Sequence, residues 1–136
     1  MRALKQTVRL ALTASAVVAG SIAVAGPANA ASSPIEACGG SYHEVDHQNI
    51  TGAVIHLLYN GSSNCVVTWK TDHIGTATPV AAVLRIAGQP IENEAKDADS
   101  YKYYAGPVYK NAAGKCIVWG GQASGAPWTS PPEHCG

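Results

Sequence analysis

Four cysteines, Cys38, Cys65, Cys116 and Cys135, constrain the fold of this chain more than any other feature. In a short exported chain an even number of cysteines reads as a disulfide framework, which braces a domain too small to build a large core. The N-terminus points to export. Arg2, Lys5 and Arg9 precede or flank an apolar run over residues 10–25, and Ala28-Asn29-Ala30 offers the small residues of a cleavage site before Ala31. This pattern predicts a signal peptide over residues 1–30 and a secreted product. Thr13, Ser15, Gly20 and Ser21 thin the apolar run, which argues against a retained membrane anchor. No second stretch is long and apolar enough to span a bilayer, so no membrane is expected as a partner after cleavage.

Residues 31–136 are long enough for one domain with a modest core. Three of the nine basic residues lie in the signal peptide, so six basic residues face nine acidic ones in the exported part. The six, Lys70, Arg85, Lys96, Lys102, Lys110 and Lys115, are scattered singly. A negatively charged domain without a basic stripe cannot neutralise a run of phosphates, which excludes nucleic acid as the expected partner.

The apolar pattern of the exported part has the period of a strand and is punctuated by glycine and proline. Residues 53–59 run into Asn60-Gly61-Ser62-Ser63-Asn64, a turn-rich set, and return as Cys65-Val66-Val67-Thr68-Trp69. Residues 80–86 form another strand, with Val80, Ala82, Leu84 and Ile86 on one face. After a polar segment at 92–100, Tyr109 leads through a turn at 111–114 to Cys116-Ile117-Val118-Trp119. This second hairpin echoes the first, tyrosine, turn, cysteine, tryptophan, and reads as a structural pseudo-repeat. Five or six short strands with no helix of ten residues predict an all-β fold: a small disulfide-stabilised antiparallel sandwich or barrel built from two related hairpins. Residues 120–136, with Gly120, Gly121, Gly125, Pro127, Pro131 and Pro132, are expected to be an irregular tail. Trp69 and Trp119 are expected in the core.

Four cysteines allow three pairings. If residues 42–48, 53–59 and 65–70 are consecutive antiparallel strands, Cys38 and Cys65 start strands that run the same way and meet at one end of the sheet. The expected pairing is therefore Cys38 with Cys65 and Cys116 with Cys135. Each bond would close a loop of about 20 to 30 residues and contribute about 3 to 4 kcal/mol by restricting the unfolded chain.

The sharpest chemical motif is His43-Glu44-Val45-Asp46-His47, which matches the H-E-x-x-H pattern of zinc proteases. That chemistry needs a helix, which puts both histidines on one face with the glutamate beside the metal-bound water. Here glycines precede the motif, Ile50-Thr51-Gly52 follows it, and the domain has little room for a long helix and cleft. As a strand, the segment would place His43, Val45 and His47 on one face and Glu44 and Asp46 on the other, away from any metal held by the histidines. An exposed polar edge strand or loop is the expectation. His43 and His47 remain weak metal candidates, and no catalytic residue, metal or other cofactor is assigned. His56, His73 and His134 are isolated in sequence.

No G-x-S-x-G elbow surrounds a serine. Glu92 with Glu94 and Asp97 with Asp99 lack the glycine and closing glutamate of a calcium loop and read as a solvated acidic turn. Tyr101, Tyr103 and Trp128 are the aromatics expected to be exposed, and they could offer a platform to a sugar ring or a partner.

The strings GAVIHLLYNGSSNCVVTW at 52–69 and YYAGPVYKNAAGKCIVWGG at 103–121, with the ending Glu133-His134-Cys135-Gly136, resemble the secreted spore-associated protein A family of filamentous actinomycetes. The resemblance spans nearly all of the exported part and fits the spacing of all four cysteines. It implies an exported protein associated with spores or the cell exterior, and it carries no catalytic residues. It names no partner, for which cell-wall or spore-surface components are the candidates. Three functions follow in order of expectation. The first is a non-enzymatic structural or interaction component of the spore or cell exterior. The second is a carbohydrate- or cell-wall-binding module using Tyr101, Tyr103 and Trp128. The third, remote, is a zinc-dependent hydrolase at His43 to His47.

Overall fold

A computed structural model describes residues 31–136, in which β-rich sequence and frequent turn residues produce eight strands, one short helix and a single 3-10 turn. The expected signal peptide lies outside the described residues. Helix α1 (Pro34–Cys38) starts at Ser33, whose hydroxyl accepts from the Glu36 amide, and carries Pro34 in its first turn, where a missing N–H costs nothing. The strands are β1 (His43–Ile50), β2 (Ala53–Tyr59), β3 (Ser63–Lys70), β4 (Thr78–Ile86), β5 (Ala95–Tyr101), β6 (Tyr104–Asn111), β7 (Ile117–Ala123) and β8 (Ala126–Thr129). They form two four-stranded antiparallel sheets, ordered β1-β2-β3-β6 and β5-β4-β7-β8. The fold is thus an all-β sandwich with open edges, and not a closed barrel.

Alternation along the strands builds the central core. Ile55 and Leu57 of β2 and Val66 of β3 meet Val80, Ala82 and Leu84 of β4 and Ile117 and Trp119 of β7. Burying each large aliphatic chain stabilises the fold by about 1.5 to 3 kcal/mol relative to leaving it in water. A second cluster covers the outer face of the first sheet: Leu58, Cys65 and Val67 pack with Cys38, and Ala37, Tyr42, Trp69 and Tyr104 close over them. That outer cover explains why β2 and β3 read as nearly continuous apolar runs, since both of their faces are buried. The Cys38–Cys65 bond holds α1 onto this face, and Cys116–Cys135 ties the C-terminal segment to the start of β7.

Four expectations are corrected. The second hairpin is not one: β6 pairs with β3 in one sheet and β7 with β4 and β8 in the other, so the turn at 111–114 crosses between sheets. A turn-rich sequence shows that the chain reverses and is silent about which sheet receives it. The polar segment at 92–100 is largely strand β5, and Asp97 is no solvated turn residue. Its carboxylate accepts from the Tyr101 hydroxyl and, at 2.8 Å, from the Gly106 amide, which joins β5 to β6. The tail is irregular only beyond Thr129. Gly120 and Gly121 belong to β7, where a side chain would collide with Trp128 O or with Thr68 and Ala81, and Ser124-Gly125 turns into β8 with both φ angles positive. Such a two-residue loop has the twist that a hairpin needs. Finally, Trp69 lies on the outer face stacked on Tyr104, at 4.7 Å between ring centroids, whereas Trp119 is 1% exposed.

Candidate functional site

Strand β1 forms an edge of the first sheet, and its register with β2 shifts between Glu44 and Asp46. Val45 is the extra residue, and a bulge of this kind turns the following side chains to the opposite face. Glu44 therefore pairs with Leu58 and His47 with His56 on the outer face, whereas His43 pairs with Tyr59 and Asp46 with Leu57 on the inner one. This corrects the alternation expected from an unbroken strand. His43 and His47, the two weak metal candidates, point to opposite faces. The H-E-x-x-H string accordingly offers no paired histidines.

The bulge instead creates two polar clusters. On the outer face Glu44 accepts from His56 Nδ1 and lies 3.2 Å from His47 Nδ1. On the other side the C-terminal segment reaches β1, and His134 Nε2 donates to Asp46 Oδ2 at 2.9 Å while standing 3.7 Å from Glu133 Oε2. Both carboxylates are aimed from behind. The His47 amide donates to Asp46 Oδ1 at 2.8 Å, and Trp119 Nε1 donates to Glu133 Oε2 at 2.7 Å. Glu133 also exchanges backbone hydrogen bonds with Ile117, and the neighbouring Cys135 is bonded to Cys116. Beside His134 lies a cleft of about 180 Å³ lined by Val45, Tyr59, Asn64, Ala112, Cys135 and Gly136.

The aromatic candidates are not brought together. Tyr101 ends β5 and Trp128 lies on β8, at opposite edges of the second sheet, and both are half-buried against the core. Trp128 packs edge-on to Trp119. Tyr103, in the turn between β5 and β6, is 45% exposed. The hydrogen bond to Asp97 is the main reason that the Tyr101 phenol is pushed up to about 12, with burial and the charges of Asp97 and Asp99 adding to it. Burial, then Tyr42, raises the Tyr109 phenol, whose hydroxyl donates to Cys38 O. Sequence reasoning missed the grouping of Asp46, Glu133 and His134. Adjacency of His134 to a bonded cysteine fixes the tail on β7, but nothing in the sequence says that the facing edge is β1.

Fold and site together define a small disulfide-braced β-sandwich with a polar cluster where a bulged edge strand meets the C-terminal segment. No family model and no solved structure matches the chain. Spore-associated protein A of Streptomyces coelicolor is 34% identical over 141 residues, covering 96% of this chain and 89% of that protein. The chain belongs to the spore-associated protein A family.

Proposed function

We propose that the protein is secreted and acts as a non-enzymatic structural or interaction component of the spore or cell exterior. The observation that carries this reading is similarity along almost the whole chain to a protein named for its association with spores. Two disulfides in a domain of this size support it, because such bonds persist in oxidising surroundings outside the cell. The sandwich core and the outer cover of the first sheet make a domain suited to that setting. A zinc hydrolase reading loses its basis once His43 and His47 face apart. No specific observation favours a sugar platform, since Tyr101 and Trp128 pack inward at opposite sheet edges.

The test is fractionation of the producing organism, with immunodetection in washed spores, culture medium and cytosol, and N-terminal sequencing of the recovered chain. The reading expects a product starting at Ala31, retained on spores or released to the medium and absent from the cytosol. A chain that keeps residues 1–30 and stays in the cytosol would overturn it.

A further inference from the structure

We propose that Asp46, Glu133 and His134 form a binding site for a divalent transition-metal ion of the zinc class, set between strand β1 and the C-terminal segment. One nitrogen and two carboxylate oxygens, one from each residue, lie within 4.8 Å of one another. In a tetrahedral shell with bonds of about 2.05 Å, neighbouring donor atoms stand about 3.3 Å apart. The contacts of His134 Nε2, 2.9 Å to Asp46 and 3.7 Å to Glu133, bracket that spacing. The third separation, Asp46 to Glu133, is at most 4.8 Å, so the two carboxylates would draw together by up to about 1.5 Å to close the shell on three sides.

Charge argues the same way. Two carboxylates held this close repel, and a histidine, even when protonated, offsets only one of them. A divalent ion offsets both. As an ion pair alone the cluster would contribute little, because its side chains are 32 to 40% exposed and such pairs are worth about 0 to 1 kcal/mol. The same exposure lets a hydrated ion enter without opening the fold. On binding, Nε2 gives up its hydrogen and its lone pair takes the metal, while the ring stays neutral with its hydrogen on Nδ1. An imidazolium releases one proton to solvent, and a neutral Nε2–H ring exchanges its hydrogen to Nδ1 through solvent.

The site is also held from behind, as metal sites require. The His47 amide and the Trp119 indole each bond one carboxylate, and the Cys116–Cys135 bond fixes the segment that carries Glu133 and His134. Asp46 belongs to one sheet, whereas Glu133 is bridged to Ile117 of the other. An ion here would clip the two sheets together beside the cleft.

The test is titration of the purified disulfide-bonded protein with zinc alone, read by calorimetry and, in a Trp69→Phe background, by the fluorescence of Trp119 and Trp128, of which Trp119 is bonded to Glu133. The expected result is one ion per chain, with a fluorescence change that saturates at the same ratio. Asp46→Asn, Glu133→Gln and His134→Gln should each weaken binding by on the order of tenfold or more. Glu133→Gln keeps an acceptor for the Trp119 indole, so its loss of affinity is not a loss of fold. A His43→Ala, His47→Ala double variant should bind as the parent does. The proposal is overturned if zinc up to about 1 mM gives no saturable binding, which leaves an ion pair only. It is overturned equally if binding survives Glu133→Gln and His134→Gln but is lost in the double variant, which would move the ion to the Glu44, His47 and His56 cluster.

Discussion

Thr68 brings a hydroxyl into the middle of the sandwich, where it is fully buried and has no hydrogen-bond partner among the described residues. It packs at the point where Gly121 lets β7 come close, since a side chain at 121 would collide with Thr68 Oγ1. A buried hydroxyl without a partner costs more than an apolar group of the same shape. Thr68→Val keeps the branched shape and should raise stability by about 1 kcal/mol, measured as a later urea midpoint at unchanged slope. A lower midpoint would mean that the hydroxyl is satisfied after all. Tyr101 supports a second expectation at this scale. Its phenol is pushed up to about 12 in the fold, chiefly by the bond to Asp97, against an ordinary value of 10.0. The folded state therefore holds this proton more tightly than the unfolded chain does. The resulting stability is present in full below about pH 10 and is lost as pH rises through about 12. Unfolding midpoints measured across this window should fall more steeply for the parent than for Tyr101→Phe. Parallel profiles would remove the Asp97 bond from the account. Neither residue was legible in sequence, because partners at Asp97 and Gly121 depend on which strands face each other.

Among elements, the connection between β3 and β4 depends on one side chain. Lys70 is 3% exposed, and its ammonium donates to the carbonyls of His73, Thr76 and Tyr101. All three of its protons are used. The loop at 71–77, otherwise exposed, is thereby tied to the end of β5. Lys70→Met preserves length and apolar stem but strands these carbonyls, and the fold should lose about 2 kcal/mol. Proteolysis should then cut first within 71–77, and the Gly75 and Thr76 amides should exchange faster, because their acceptors Lys102 O and His73 O belong to the same brace. Unchanged exchange at both amides would show that the loop holds without Lys70. Strands β2 and β4 were readable from β-branched runs and alternation. The β2–β3 turn was readable too, since Asn60 Oδ1 accepts from the Ser62 and Ser63 amides as an asparagine turn does. Strand β5 was hidden because an exposed edge strand tolerates Lys96, Asp99 and Ser100 and so lacks an apolar signature. The bulge at Val45 was hidden as well, because an extra residue leaves no mark in composition yet reverses the face of every side chain after it.

At the level of the whole molecule, the chain crosses between sheets three times, from β3 to β4, from β5 to β6 and from β6 to β7. Because β3 lies beside β6 and β4 beside β7, the first and last crossings are interlocked. Each sheet takes strands from both sides of these crossings, so neither is built from one contiguous stretch of chain. Local sequence fixed the class of fold through strand period and turns, but this interlocking rests on pairings between segments about 40 residues apart and leaves no local trace. It does carry a thermodynamic consequence. The two sheets should unfold as one unit, and the molecule holds its own reporters: Trp69 on the outer face of the first sheet, Trp119 and Trp128 on the second. With both disulfides intact, urea unfolding followed by fluorescence in a Trp69→Phe variant should report only the second sheet. A Trp119→Phe, Trp128→Phe variant should report only the first. Each substitution shifts stability by its own amount, so each fluorescence curve is compared with far-ultraviolet circular dichroism of the same variant. Coincident curves within each variant are expected for an interlocked sandwich. If the Trp69 signal moved well before the circular dichroism, the outer cover held by Cys38–Cys65 would be melting as a separate unit, and the second cluster would be an attachment to the sandwich and no part of its cooperative core.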